Sequence, residues 1–167
     1  KKGAYLAALV NAQGSTLERL VDTTLHVGAG PEIAVVSTKA FTSQLAVFYL
    51  LAGALVGQFP KARKEVKKLG PLLTKWLDKK LEKKIDDLAR IIYQKEHVYV
   101  IGKHLNYGVG MEAALKIKET SYLHAEAFAA GELKHGVIAL IEKGTPCLAF
   151  FACDSVQKEL LASATEL

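Results

Sequence analysis

In 167 residues the chain sets 22 lysines and arginines against 17 acidic residues, a formal charge of +5, and half of it is hydrophobic. That composition excludes disorder and suits one ordinary domain or two small ones with packed cores. The basic excess falls mainly in residues 61–84, where lysines alternate with apolar residues at helical spacing as on a solvated face. This is not the interleaving of basic and aromatic residues that stacks bases, so no nucleic acid partner is expected.

The longest apolar stretch, residues 45–56, is about half of what crosses a bilayer, and the start does not resemble a signal peptide. A cytoplasmic protein with no membrane partner is expected. Cys147 and Cys153 sit in and just after an apolar run, and their spacing fits neither a zinc motif nor a disulfide scaffold. They read as free core thiols.

The opening "GAYLAALV" reads as a short buried strand. "NAQGSTLERLVD" offers a turn in which Ser15 or Thr16 caps one helical turn, and "TTLHV" is a second strand. Beyond "GAGPE", the segment from Thr38 to about Gly57 is apolar at helical spacing and long enough for a buried helix. Pro60 opens a lysine-rich helical stretch that Gly70-Pro71 is expected to interrupt. A further helix from about Lys79 to Tyr93 puts Leu81, Ile85, Leu88, Ala89 and Ile92 on one face. "HVYVIG" is then a strand, "NYGVGMEAALKIKETSY" a helix after a glycine-bearing turn, "PCLAFFA" a strand, and "SVQKELLASATEL" the start of a helix. Strands separated by helices imply parallel pairing, hence an α/β fold with an open parallel sheet flanked by helices. Because the sequence starts inside a strand pattern and stops inside a helical one, an excerpt from a longer polypeptide is expected, the other reading being a small domain with bare ends.

In the helix ending at Tyr122, Glu112, Lys116 and Glu119 are spaced i, i+4 and i+7 and form one polar stripe, with Met111, Ala114 and Leu115 on the neighbouring apolar face. Such a stripe reads either as a solvated surface with weak ion pairs or as part of a site. Its helix follows a strand and the glycine turn "VIGKHLNYG", where open α/β sheets place ligands at the carboxyl ends of their strands. The next segment, "HAEAFAAGELKHG", sets His124 and His135 with Glu126, Glu132 and Lys134 among small residues. Each histidine is either a structural or surface residue or a proton-transfer group. No cysteine and histidine grouping at metal spacing supports a zinc site.

Two long stretches resemble one known family. "EAALKIKETSYLHAEAFAAGELKHG" is similar to the signature of the isomerase domain of glucosamine-6-phosphate synthases, the glutamine:fructose-6-phosphate amidotransferases, which is built from two sugar isomerase (SIS) subdomains. "AGPEIAVVSTKAFTSQL" resembles the first SIS subdomain of the same family, in the right order, and the resemblance spans essentially the whole chain. It implies two incomplete SIS subdomains, residues 1–58 and 79–167, joined by a helical segment at 59–78. The implied activity is conversion of fructose 6-phosphate and glutamine to glucosamine 6-phosphate and glutamate, with this part binding and isomerising the sugar phosphate. Other SIS isomerases or deaminases, or a sugar-phosphate sensor that binds without catalysing, are the alternatives.

By that resemblance Glu119 moves the proton between C1 and C2 of the open-chain sugar and Lys116 lies near its reacting oxygens. His135 assists ring opening from the neighbouring subunit, which implies a homodimer. Val35 and Ser37 line the sugar pocket, while Lys39 lies close by. No cofactor or metal is implied, since a carboxylate can shuttle a proton between adjacent carbons and a lysine can stabilise an enediolate oxygen. The chain departs from the family at "GVIAL", where Val137 replaces a turn-fixing proline and a looser loop is expected, and at "EAALK", where Ala113 replaces a glycine. The family's phosphate-holding loop, closing tail and partner glutaminase domain are expected outside these residues, so this stretch alone should be poorly active or inactive.

Overall fold

The computed structural model describes residues 2–152, 157–165 and 167 and divides the chain into two units, Lys1–Lys79 and Lys80–Leu167. The first begins with β1 (Ala7–Val10), α1 (Thr16–Leu20) and β2 (Thr23–His26), and the two strands pair in parallel from Ala7 opposite Thr23 to Val10 opposite His26. A reciprocal cap makes α1 as the sequence anticipates. The Ser15 hydroxyl accepts the Glu18 N–H at 3.3 Å while the Glu18 carboxylate accepts the Gly14 N–H at 2.6 Å. The first strand starts later than expected, and Leu6 before it is bonded to the segment entering β2, its N–H on the Asp22 carboxylate and its carbonyl taking the Asp22 and Thr23 N–H groups.

Two helices follow, α2 (Lys39–Leu55) and α3 (Phe59–Trp76). They pack so closely that a Cβ on Gly53 would lie 2.6 Å from the Ala62 Cβ, and the Tyr49 phenol donates to the Glu65 carboxylate across the pair. Two expectations fail here. Pro71 does not interrupt α3, because Gly70 before it has no Cβ to clash with the proline ring. Nor is α2 a buried helix: it is apolar on all sides, α3 covers one side, and Leu45, Phe48, Leu51 and Leu55 are exposed within this unit.

The lysine-rich α4 (Lys79–Ile92) leads into β3 (His97–Gly102), α5 (Leu105–Ser121) and β4 (His124–Ala129). Two short 3-10 turns, Ala130–His135 and Val137–Leu140, precede β5 (Cys147–Phe150) and α6 (Gln157–Thr165). Among the described residues the strands form a parallel sheet in the order β4-β3-β5. Both of its faces are covered. Val98, Val100 and Ala125 pack on Ala114 of α5, whereas Ile101 packs with Ala130, Leu133 and Leu160 on the other side. Strand β4 falls in a segment the sequence reading left without an element, since "HAEAFA" has no β-branched residue to announce it. Cys147 is a free, half-buried thiol whose burial pushes its pKa up; Cys153, Ser155 and Val156 lie outside the described residues.

Candidate active site

The turn from β3 into α5 is tight: a Cβ on Gly102 would meet the Asn106 carbonyl oxygen at 2.3 Å, and His104 takes φ 51°. Gly110 then lets α5 close on the sheet, its Cα hydrogen facing Val100 where a Cβ would sit 3.2 Å from the side chain. Docking that face leaves Glu112, Lys116 and Glu119 together on another. The Lys116 ammonium donates to Glu119 Oε2 at 2.7 Å and lies 3.3 Å from Glu112 Oε1. These side chains retain 23% (Lys116), 23% (Glu112) and 28% (Glu119) of their accessible surface, so the group lies at the surface, partly screened from solvent. The hydrogen bond to Glu119 first, then the bond and charge of Glu112, raise the Lys116 pKa against the opposing effect of burial. Lys116 is therefore a fixed cation at neutral pH, fit to stabilise negative charge and unfit to accept a proton. Of the neighbouring apolar residues, Ala114 is buried while Met111 and Leu115 are exposed.

The position of this group corrects one sequence argument. Glu119 lies 14 residues after Leu105, about 21 Å along the helix axis at 1.5 Å per residue, so it sits away from the carboxyl end of β3 and near the start of β4. His135 lies beyond the other end of β4, in the first 3-10 turn, and six strand residues span about 20 Å. Within one chain the structure does not bring Glu119 and His135 together. The "GELKHG" turn is nevertheless ordered by its core: Ala130 and Leu133 are buried, while Glu132, Lys134 and His135 face outward. Val137, expected to loosen the loop, packs against the Ile101 and Leu133 cluster.

In the first unit, Val35 is 98% exposed and Ser37 is half-buried, on an irregular segment before α2. Glu32, which sequence reasoning passed over, organises that segment. Its carboxylate accepts the Ala40 N–H at 2.9 Å and the Thr38 N–H at 3.2 Å, with the Ser37 hydroxyl at 3.5 Å. It thereby satisfies the helix start that the Thr38 side chain leaves uncapped, and these bonds, Ala40 first, hold its pKa below the usual value against partial desolvation. A cavity of about 810 Å³ opens beside it at the carboxyl ends of β1 and β2, lined by Asn11, Gln13, His26, Glu32 and Ala40 among others. Asn11 braces its rim, donating to the Gly30 carbonyl and accepting the Ala29 N–H. Val35 and Ser37 are not in its lining. An acidic residue seven positions before a helix carries no standard capping signal in the sequence.

Residues 91–167 match the SIS domain family model. Over 175 aligned positions it is 40% identical to the isomerizing glutamine–fructose-6-phosphate aminotransferase of Caldanaerobacter subterraneus subsp. tengcongensis, an alignment that takes in all of this chain and 28% of that protein. The aminotransferase of the same name from Aquifex aeolicus is 37% identical over 167 positions, again covering the whole chain and 28% of the relative. Among solved structures, the C-terminal domain of glucosamine-fructose-6-phosphate aminotransferase from Francisella tularensis superposes with a TM-score of 0.86 at 38% identity, over 96% of this chain and 46% of that one. The chain is thus similar to these enzymes over almost its whole length and spans about 28% of the length of the first two. No helix among the described residues is long and apolar enough to cross a membrane, and no three potential metal ligands cluster among them.

Proposed function

We propose that this chain is part of the sugar-isomerising region of a cytoplasmic glutamine–fructose-6-phosphate aminotransferase, in which it binds fructose 6-phosphate and moves a proton between C1 and C2. Residues 1–58 and 79–167 are then portions of two SIS subdomains with 59–78 between them, and the glutaminase domain belongs to the same polypeptide. The observation that carries the reading is the Glu112–Lys116–Glu119 group, held on one helix face in a chain homologous along its whole length to these enzymes.

The chemistry divides between two neighbours. Glu119 takes the proton from one carbon and returns it to the next, while the permanently charged Lys116 holds the enediolate oxygen. Glu112, on the other side of Lys116, keeps the ammonium aimed along the stripe. Val35 and Ser37 contact the sugar, with Glu32 fixing the backbone that presents Ser37. The length of β4 between Glu119 and His135 supports a homodimer in which His135 opens the sugar ring bound at the partner's Glu119.

The test uses the complete protein. Glu119→Gln should nearly abolish interconversion of fructose 6-phosphate and glucose 6-phosphate while leaving sugar-phosphate binding little changed. Retained turnover would overturn the assignment and show that another group moves the proton. Mixing Glu119→Gln with His135→Ala subunits checks the shared site: exchanged dimers should regain activity absent from both parents, and exchange without recovery would confine His135 to its own chain.

A further inference from the structure

At the first position of the β3–β4 pairing, His97 stands opposite His124. Both are exposed, their rings meet edge to face with centroids 5.1 Å apart, and the two Nδ1 atoms are separated by 3.1 Å. A tetrahedral zinc ion bound at about 2.0–2.1 Å by each of two imidazole nitrogens would set those nitrogens about 3.3 Å apart. The pair therefore sits close to chelating distance already. Val98 and Ala125, the next residues along the two strands, are 0% and 1% exposed, so the backbone beneath both rings is anchored in the core.

We propose that His97 and His124 form a two-imidazole site for a late first-row transition ion such as Zn²⁺ or Cu²⁺. Imidazole nitrogen suits these ions, whereas Ca²⁺ and Mg²⁺ require oxygen ligands. Without the ion, one ring donates its Nδ1–H to the other. On binding, that proton moves to Nε2 of the same ring, and both Nδ1 lone pairs turn to the metal. Because no third histidine, cysteine or carboxylate gathers with the pair among the described residues, water fills the remaining positions and the site stays open. The ion clips together the starts of two strands that are joined through α5, at a residue five positions beyond Glu119. Twenty-seven residues separate the two histidines, which is why no metal spacing is visible in the sequence.

Long-range ¹H–¹⁵N imidazole spectra of the protein, titrated with ZnCl₂, resolve each of the five histidines in these 167 residues. The Nδ1 resonances of His97 and His124 should shift together and saturate at one ion per chain. His97→Gln and His124→Gln, with backbone spectra confirming the fold, should each weaken the binding by at least about tenfold. Shifts at only one of the pair, shifts confined to His26, His104 or His135, no shift at millimolar zinc, or undiminished affinity in the double variant would each overturn the site.

Discussion

The two units bury their apolar residues in different ways. In the second, Val98, Val100, Ile101, Leu133 and Leu160 are sealed on the two faces of one sheet. In the first, the buried residues are Ala8, Val10, Ala40 and Ala62, while Leu45, Phe48, Leu55 and Trp76 remain exposed within that unit. A large apolar core fixes the helix that carries Lys116 and Glu119. The segment carrying Val35 and Ser37 is instead held by polar staples, chiefly Glu32 and Asn11. The geometry of the Lys116–Glu119 group thus rests on packing in one unit, and that of the segment carrying Val35 and Ser37 on hydrogen bonds in the other.

The contrast breaks most visibly in the second unit. Leu133→Ala, at a fully buried position beneath the "GELKHG" turn, should destabilise the protein by about 2–5 kcal/mol in urea unfolding. A loss below about 1 kcal/mol would mean that the turn is not anchored through its core. Next in size is Gly53→Ala, where the new methyl meets Ala62 and must push α2 and α3 apart, at a cost of about 1–3 kcal/mol. Unchanged unfolding would show that the helix pair has room to spare.

Glu32 gives a smaller, pH-dependent effect. Its folded pKa lies below the ordinary 4.5, so its contribution is present above that value and is lost as the pH falls through the folded value. Amide exchange at Thr38 and Ala40, corrected for the intrinsic pH dependence, should therefore lose protection on acidification below about pH 4.5, and Glu32→Gln should remove that step. Identical profiles in the two proteins would exclude the staple. Least of all should follow from Leu55→Ala, 80% exposed at the end of α2, which should change stability by no more than about 0.5 kcal/mol. A much larger loss would reveal a cover over α2 and erase the difference between the units.

Local signals were the most legible. The Ser15–Glu18 cap, the strand "HVYVIG", the long apolar α2 and the polar stripe of α5 each depend on residues within a turn or two of one another. Where the reading failed, either a second local feature or a distant contact outweighed the local rule. Pro71 sits inside a helix because Gly70 before it has no Cβ to meet the proline ring, and "HAEAFA" is a strand because β3 supplies its hydrogen bonds. Exposure along α2 was equally hidden, since periodicity shows which residues want cover and not whether a neighbour provides it.

By itself the sequence determined the alternation of strands and helices and the meeting of Lys116 with Glu112 and Glu119, because residues three and four apart on a helix must be neighbours. Tertiary structure alone decided the β4-β3-β5 order, the separation of Glu119 from His135 by the length of a strand, and the pairing of His97 with His124. Strand register joins residues far apart in the chain through backbone hydrogen bonds that are nearly the same for every side chain, so no local pattern encodes which two will stand opposite each other.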